Sequence, residues 1–275
     1  ANSIHQSSMA NIVQIPGRSF SPAKLMDAHP SWDQWRYLFL ARVSRPIPQV
    51  KAPCMAESQK RSLGRSLAIF QLGESGEGRI AKEIMLIHQP GITIAYREAL
   101  GLFVAEEARH GRLLKNLLAS LGMGPMHFAW SNTLFTWVRR LIGIRLKLLV
   151  LMAAEIVGLS FYQLVSEQIE QGGFRAVLEQ ICEDEEDHLG FHADFFHNQL
   201  RTKGDRIVFK ILWPSICLIA ISMACFDHRD SLRSLGIRKR FYFRRALAYV
   251  NDASDHSLRL SSPLRRPERQ SASAE

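Results

Sequence analysis

Cysteine is scarce in this 275-residue chain, and the four present, Cys54, Cys182, Cys217 and Cys225, form no Cys-x-x-Cys pair. That excludes a zinc knuckle and a disulfide framework, and it makes a reducing, cytoplasmic compartment the expectation. Proline and glycine are few as well, 11 and 17 residues in a chain that is 47% hydrophobic and 22% charged. Such a composition suits one well-packed domain, or one domain with appendages. Ala1 to Ser8 lacks the basic-then-apolar pattern of a signal, and no repeat of solenoid length occurs. No nucleic-acid motif accompanies the net charge of +9, so nucleic acid is not an expected partner. The charge is dispersed, with concentrations at Arg233 to Arg245 and around Arg265 and Arg266. It predicts a solvated basic surface, or a face for an acidic protein or an anionic membrane.

What the chain has is helical periodicity. His29-Pro30-Ser31-Trp32 reads as a turn with an N-cap, opening a short helix through Trp35, Tyr37 and Leu40 that Arg45-Pro46-Ile47-Pro48 breaks. Nothing there announces chemistry. A pattern running from Glu57 to Ile87 places Leu63, Leu67, Phe70, Glu74, Glu77 and Ala81 on one inward stripe. Gly73, Gly76 and Gly78 beside those glutamates suit a backbone that a metal or a second helix must approach. After the turn at Gln89-Pro90-Gly91, a helix bearing Glu107 and His110 stops at Gly122-Met123-Gly124-Pro125, and an aromatic stretch, His127 to Trp137, leads on. The next helix, Arg139 to Gln171, is the most apolar. Its stripe is Leu148, Leu151, Glu155, Gly158, Tyr162 and Val165, and Arg145, Lys147 and Glu155 favour a buried bundle helix over a membrane span. The fourth long helix, Phe174 to Thr202, bears Glu185, His188 and His192. Lys210 and Pro214 argue against a simple span in the apolar segment Ile207 to Phe226. The expected organisation is an N-terminal extension with a short helix (1–56), a bundle (57–203), a C-terminal helical extension (204–251) and a disordered tail (252–275).

Glu107-x-x-His110 and Glu185-x-x-His188 each put an acid and an imidazole on one helix face. That face is otherwise apolar: Leu100, Phe103 and Leu114 around the first pair, Leu178, Ile181 and Phe195 around the second. Burying a carboxylate costs on the order of several kcal/mol unless it is paired or binds a metal. With Glu74 (or Glu77) and Glu155 on the other two inward stripes, the set can hold two metal ions inside a four-helix bundle. Four carboxylates neutralise two divalent ions and each imidazole adds a nitrogen ligand, whereas structural zinc favours Cys and His. Around these, Glu106, Glu183 and Glu186 read as solvated. Asp184 either takes a proton from a ligand imidazole on the facing helix or is exposed. Glu77 is an alternate ligand or a partner for Arg79, and His192 is an additional ligand or an outer partner. Tyr162 is core or a redox relay, and His228 is structural.

Phe70-Gln71-Leu72-Gly73-Glu74-Ser75 is similar to the first-helix glutamate segment of rubrerythrins, and the Glu74-to-Glu107 and Glu155-to-Glu185 spacings are those of their superfamily. The chain thus resembles the ferritin-like di-iron carboxylate proteins over roughly residues 57 to 200. The resemblance implies an all-α, ferritin-like four-helix bundle with extra terminal helices, whose ligands to two irons (iron–iron, or manganese–iron) are Glu74, Glu107, His110, Glu155, Glu185 and His188. The Cys-rich module of rubrerythrins is missing. The size, the added helices and His192 are closer to di-iron N-oxygenases, desaturases and hydroxylases. The expectation is a di-iron oxidoreductase that activates dioxygen to hydroxylate, desaturate or N-oxidise an acyl or amine substrate, in a pocket built by Phe70, Phe103, Met152, Phe161 and Phe195. The expected partners are a small-molecule or carrier-bound substrate, dioxygen, an electron donor and a second copy in a homodimer, with no stable membrane span. An iron-handling or peroxide-scavenging protein is the alternative, and a helical bundle without a working site is the third.

Overall fold

The computed structural model describes residues 31–74, 83, 92–141 and 143–258. Among these the chain is all-α, with nine helices and no strand: α1 Trp32–Val43, α2 Glu57–Glu74, α3 Ile94–Ser120, α4 Trp130–Leu141, α5 Ile144–Gln168, α6 Gly173–Gln199, α7 Lys203–Asp227, α8 Arg229–Ser234 and α9 Lys239–Leu258. Local sequence sets several ends. Ser31 with Gln34 and Thr202 with Asp205 form capping boxes that start α1 and α7. At the end of α3, Gly122 adopts φ 73°, a conformation glycine takes without strain. This lets its N–H and that of Met123 return to the carbonyls of Ala119 and Leu118.

α2 packs on α3, α5 packs on α6, and α3 meets α6 across the centre. Phe70 of α2 closes the ring of four against Phe161 and Tyr162 of α5, with ring centroids 5.1 and 5.0 Å apart. Gly158 permits this approach, since a Cβ there would lie 3.3 Å from the Tyr162 ring and 3.8 Å from that of Phe70. α1 lies along α3 and turns Trp35, Phe39 and Arg42 inward, while Tyr37 and Leu40 point to solvent. α9 fills the groove between α5, α6 and α7.

Two helices, α5 and α7, are long and apolar enough to cross a membrane. In α5 89% of the most apolar window is buried, so it has no side left for lipid; it is the core helix that its charges predicted. In α7 Trp213, Cys217 and Ile221 pack inward, while Ile207, Ile211, Leu218 and Ile219 are exposed. In α7 only 33% of the corresponding window is buried, its inner face packing on the core.

α9 continues to Leu258, past the end expected at Asn251. Its inward stripe runs Tyr242, Ala246, Val250, Ala253 and Ser257, and small residues buried on a polar helix leave little compositional trace. Glu77 lies outside the described residues.

Candidate metal centre

Glu107 and His110 project from α3, and Glu185 and His188 from α6. One ligand atom from each can be chosen so that all four lie within 4.8 Å of one another, and all four side chains are buried. The contacts cross between helices. His188 Nδ1 is 2.7 Å from Glu107 Oε1, and His110 Nδ1 is 3.1 Å from Glu185 Oε1. Within each helix the same nitrogens lie 3.2 Å (Glu185) and 3.6 Å (Glu107) from the acid one turn earlier.

Each imidazole hands its far nitrogen to a carboxylate on the facing helix. His110 Nε2 lies 3.3 Å from Asp184 Oδ2, and His188 Nε2 lies 3.0 Å from Glu106 Oε2. The pattern is reciprocal: the acid just before each Glu-x-x-His orients the histidine of the other pair. Such outer carboxylates fix the tautomer and ring orientation of a metal-binding histidine. Asp184 is buried and meets a ligand-type imidazole, the first of its two expected roles. Glu106 corrects its expected solvated role, because it is fully buried. Glu183 is exposed, and Glu186 is half-buried and accepts from Tyr249.

Sequence reading missed a further shell. Arg42 of α1 pairs with Asp187 and lies 3.4 Å from Asp184, which also has Arg45 at 3.1 Å and Arg109 at 3.8 Å. The signal was there in outline, since Arg42 sits on the inward stripe of Trp35 and Phe39, but nothing local says what it meets.

Glu155 of α5 shares a hydrogen bond with Glu185. Burial, together with the charges of Glu185 and Glu107, pushes the Glu155 carboxyl well above the usual range. Burial works against the charge of Glu185 too, but bonds from Glu155, His110 and His188 overcome it and hold this carboxylate well below the usual range. The imidazoles move the other way. Burial disfavours charge on His110, yet Asp184 and Glu185 raise it to about 10; Glu107 and Glu106 lead the same effect at His188. The pocket therefore attracts positive charge strongly, as protons or as metal. Both oxygens of Glu107 and Nδ1 of His110 are buried without a well-formed hydrogen bond, which fits a group of metal ligands.

Glu74, at the end of α2, lines one cavity together with Glu155 and Glu185. It stands outside the tight group of four, and a Cβ on Gly111 of α3 would lie 3.5 Å from its Cβ. Tyr162 is buried with its hydroxyl unpartnered, and burial with the charges of Glu74, Glu185 and Glu107 raises it well above its ordinary range. His192 lies one turn past His188, edge-on to Phe103 with centroids 5.0 Å apart, and neither ring nitrogen has a hydrogen-bond partner. It borders the cluster without joining it, and burial with the nearby His188 charge lowers it to about 3.

The cavity, about 130 Å³, lies between α2, α4, α5 and α7. Phe70, Leu151, Val157, Ala220 and Met223 supply apolar walls, and His228, Asp227 and Asn132 a polar end. Of the five expected pocket residues only Phe70 lines it. Phe103 and Phe195 instead join an aromatic layer with Phe191 and Tyr96, on the side that α1 covers, and Met152 is fully buried. His228 lines the cavity wall, beyond the purely structural role expected of it. Comparison with known proteins adds nothing to this geometry: no family model, no curated protein and no solved structure matches the chain.

Proposed function

We propose that the chain is a di-iron oxidoreductase that uses dioxygen to oxidise a small organic molecule by hydroxylation, desaturation or N-oxidation. The observation that carries this reading is the buried, reciprocal cluster of Glu107, His110, Glu185 and His188, bordered by a largely apolar cavity. Glu155 and Glu74 complete the ligand set in this proposal, as the resemblance implies. Two irons, if bound, would supply two of the four electrons that reduce dioxygen, the substrate giving the other two and an external electron donor restoring the irons. The protein's own part is positional and protonic. Asp184 and Glu106 accept from the imidazole Nε2 atoms and so turn Nδ1 toward the carboxylates. Glu155, at the cavity wall, gives up its proton when it joins the ligand set.

The cavity is what favours an organic substrate over the iron-handling or peroxide-scavenging alternative. An acyl chain brought by an acidic carrier fits the proposal, because α9 exposes Lys239, Arg240 and Arg244. The test is elemental analysis of protein expressed with iron, beside a Glu107→Ala/Glu185→Ala variant whose fold is checked by circular dichroism. About two iron or manganese–iron equivalents per chain in the parent, lost in a folded variant, support the reading. A folded parent that takes up no metal sinks it. Consumption of ferrous iron and peroxide with no organic product would move the assignment to the alternative.

A further inference from the structure

We infer that His228 is the polar recognition point for the substrate, and that the substrate is a compact, uncharged molecule whose apolar body carries one hydroxyl, carbonyl or amide-like group. The inference rests on the proposed function only for what happens to that molecule, not for its binding. Four observations carry it. First, His228 is among the residues that line the cavity reaching Glu155 and Glu185. Second, the residue is 3% exposed and its Nδ1 has no hydrogen-bond partner, a rare condition for a buried polar atom. Third, the ring is held rigidly. Phe70 stacks on it at 4.5 Å and 12°, and Phe161 covers it at 5.0 Å. The backbone is fixed at the α7–α8 junction, where the N–H donates to Ala224 and the carbonyl accepts from Leu232. A ring held this way keeps its nitrogens in one place. Fourth, most of the lining is apolar, including Ile69, Phe70, Leu151, Val157 and Met223, and a cavity of about this volume holds a single benzene-sized body.

Burial lowers His228 to about 3, so at neutral pH the imidazole is uncharged and offers one donor and one acceptor. A neutral polar group on the ligand matches it, whereas a carboxylate would enter a cavity already bordered by Glu74 and Glu185. Asp227, the other ionisable group at that end, is engaged by Trp130 Nε1 at 2.7 Å. It therefore does not need a ligand cation as a partner.

The experiment measures calorimetric affinities of benzyl alcohol, ethylbenzene and benzylamine for the full-length, iron-loaded protein under argon. The first two are nearly isosteric and differ in the hydroxyl, so the ratio of their affinities isolates one hydrogen bond. In His228→Phe that ratio is expected to fall roughly tenfold, while His228→Gln, which keeps a donor and an acceptor, retains most of it. Ala154→Leu, which fills the cavity, should abolish both. A ratio within twofold of the parent in His228→Phe, or no binding of either probe at millimolar concentration, overturns the inference. Benzylamine binding most tightly and surviving His228→Phe would also overturn it, by moving recognition to Asp227. Repeating the titrations on metal-free protein separates the two claims. A ratio that falls in His228→Phe while the parent takes up no iron refutes the di-iron reading alone, a ratio that does not fall while iron is bound overturns the inference alone, and a falling ratio with iron bound supports both.

Discussion

Arg42→Met should destabilise this protein strongly, although Arg42 lies 68 positions before His110, the first histidine of the cluster. The guanidinium is 1% exposed and faces two fully buried carboxylates, Asp187 and Asp184. Removing one partner of a buried pair costs about 3–5 kcal/mol, because the remaining charge stays desolvated. Asp184 keeps His110 at 3.3 Å, Arg45 at 3.1 Å and Arg109 at 3.8 Å, so the loss falls at the low end. A loss of about 3 kcal/mol lowers the midpoint of thermal unfolding by roughly 6–12 °C in a chain of this size. Adding Asp187→Asn should recover part of it, because the carboxylate that faced Arg42 is then neutral. Arg42→Lys should recover only part, since an ammonium cannot present a planar fork to two carboxylates. Calorimetric melts of the four proteins decide the matter. A loss below about 1 kcal/mol, or a double variant no better than the single one, would refute the reasoning that a buried ion pair ties α1 to the centre.

Three further outcomes are expected. Glu106→Gln and Asp184→Asn should each weaken metal binding about 10- to 100-fold without abolishing it, read by competition with a chromophoric chelator, since these groups orient the imidazoles. His228, uncharged in the fold with a value near 3 against an ordinary 6.5, contributes stability that is full above about pH 6.5 and is lost as pH falls toward 3. The unfolded chain binds the extra proton in that window, so urea midpoints of the parent should fall more steeply with acid than those of His228→Phe, by up to about 1.4 kcal/mol per pH unit. On α7, Ile219→Glu should change stability by no more than about 0.5 kcal/mol, whereas Ile221→Glu, on the buried side, should prevent folding or cost several kcal/mol. Equal damage at both positions, measured by denaturant titration, would mean that the outer face of α7 is also covered.

The sequence by itself determined the helices and the four central side chains. Helix periodicity is local, so an acid and an imidazole three residues apart on an apolar stripe must share a buried face, and Glu107, His110, Glu185 and His188 do. The capping boxes and the glycine stop are equally local. The tertiary structure decided everything that depends on which helix faces which. Glu106 looks like any surface glutamate until α6 brings His188 to within 3.0 Å of it. Arg42 gains its meaning only when α1 lies along α3, and Ala253 and Ser257 only when α9 enters its groove. Of the aromatic residues expected around a pocket, Phe70 lines the cavity and Phe103, Phe161 and Phe195 do not, because a stripe says which side chains point inward but not which inward space stays open. In the folded chain Phe103 and Phe195 are consumed by packing under α1, and the open space falls between α2, α4, α5 and α7, with His228 at its wall. Inwardness is a property of one helix, whereas a ligand shell and a cavity are properties of several, and only their packing creates them.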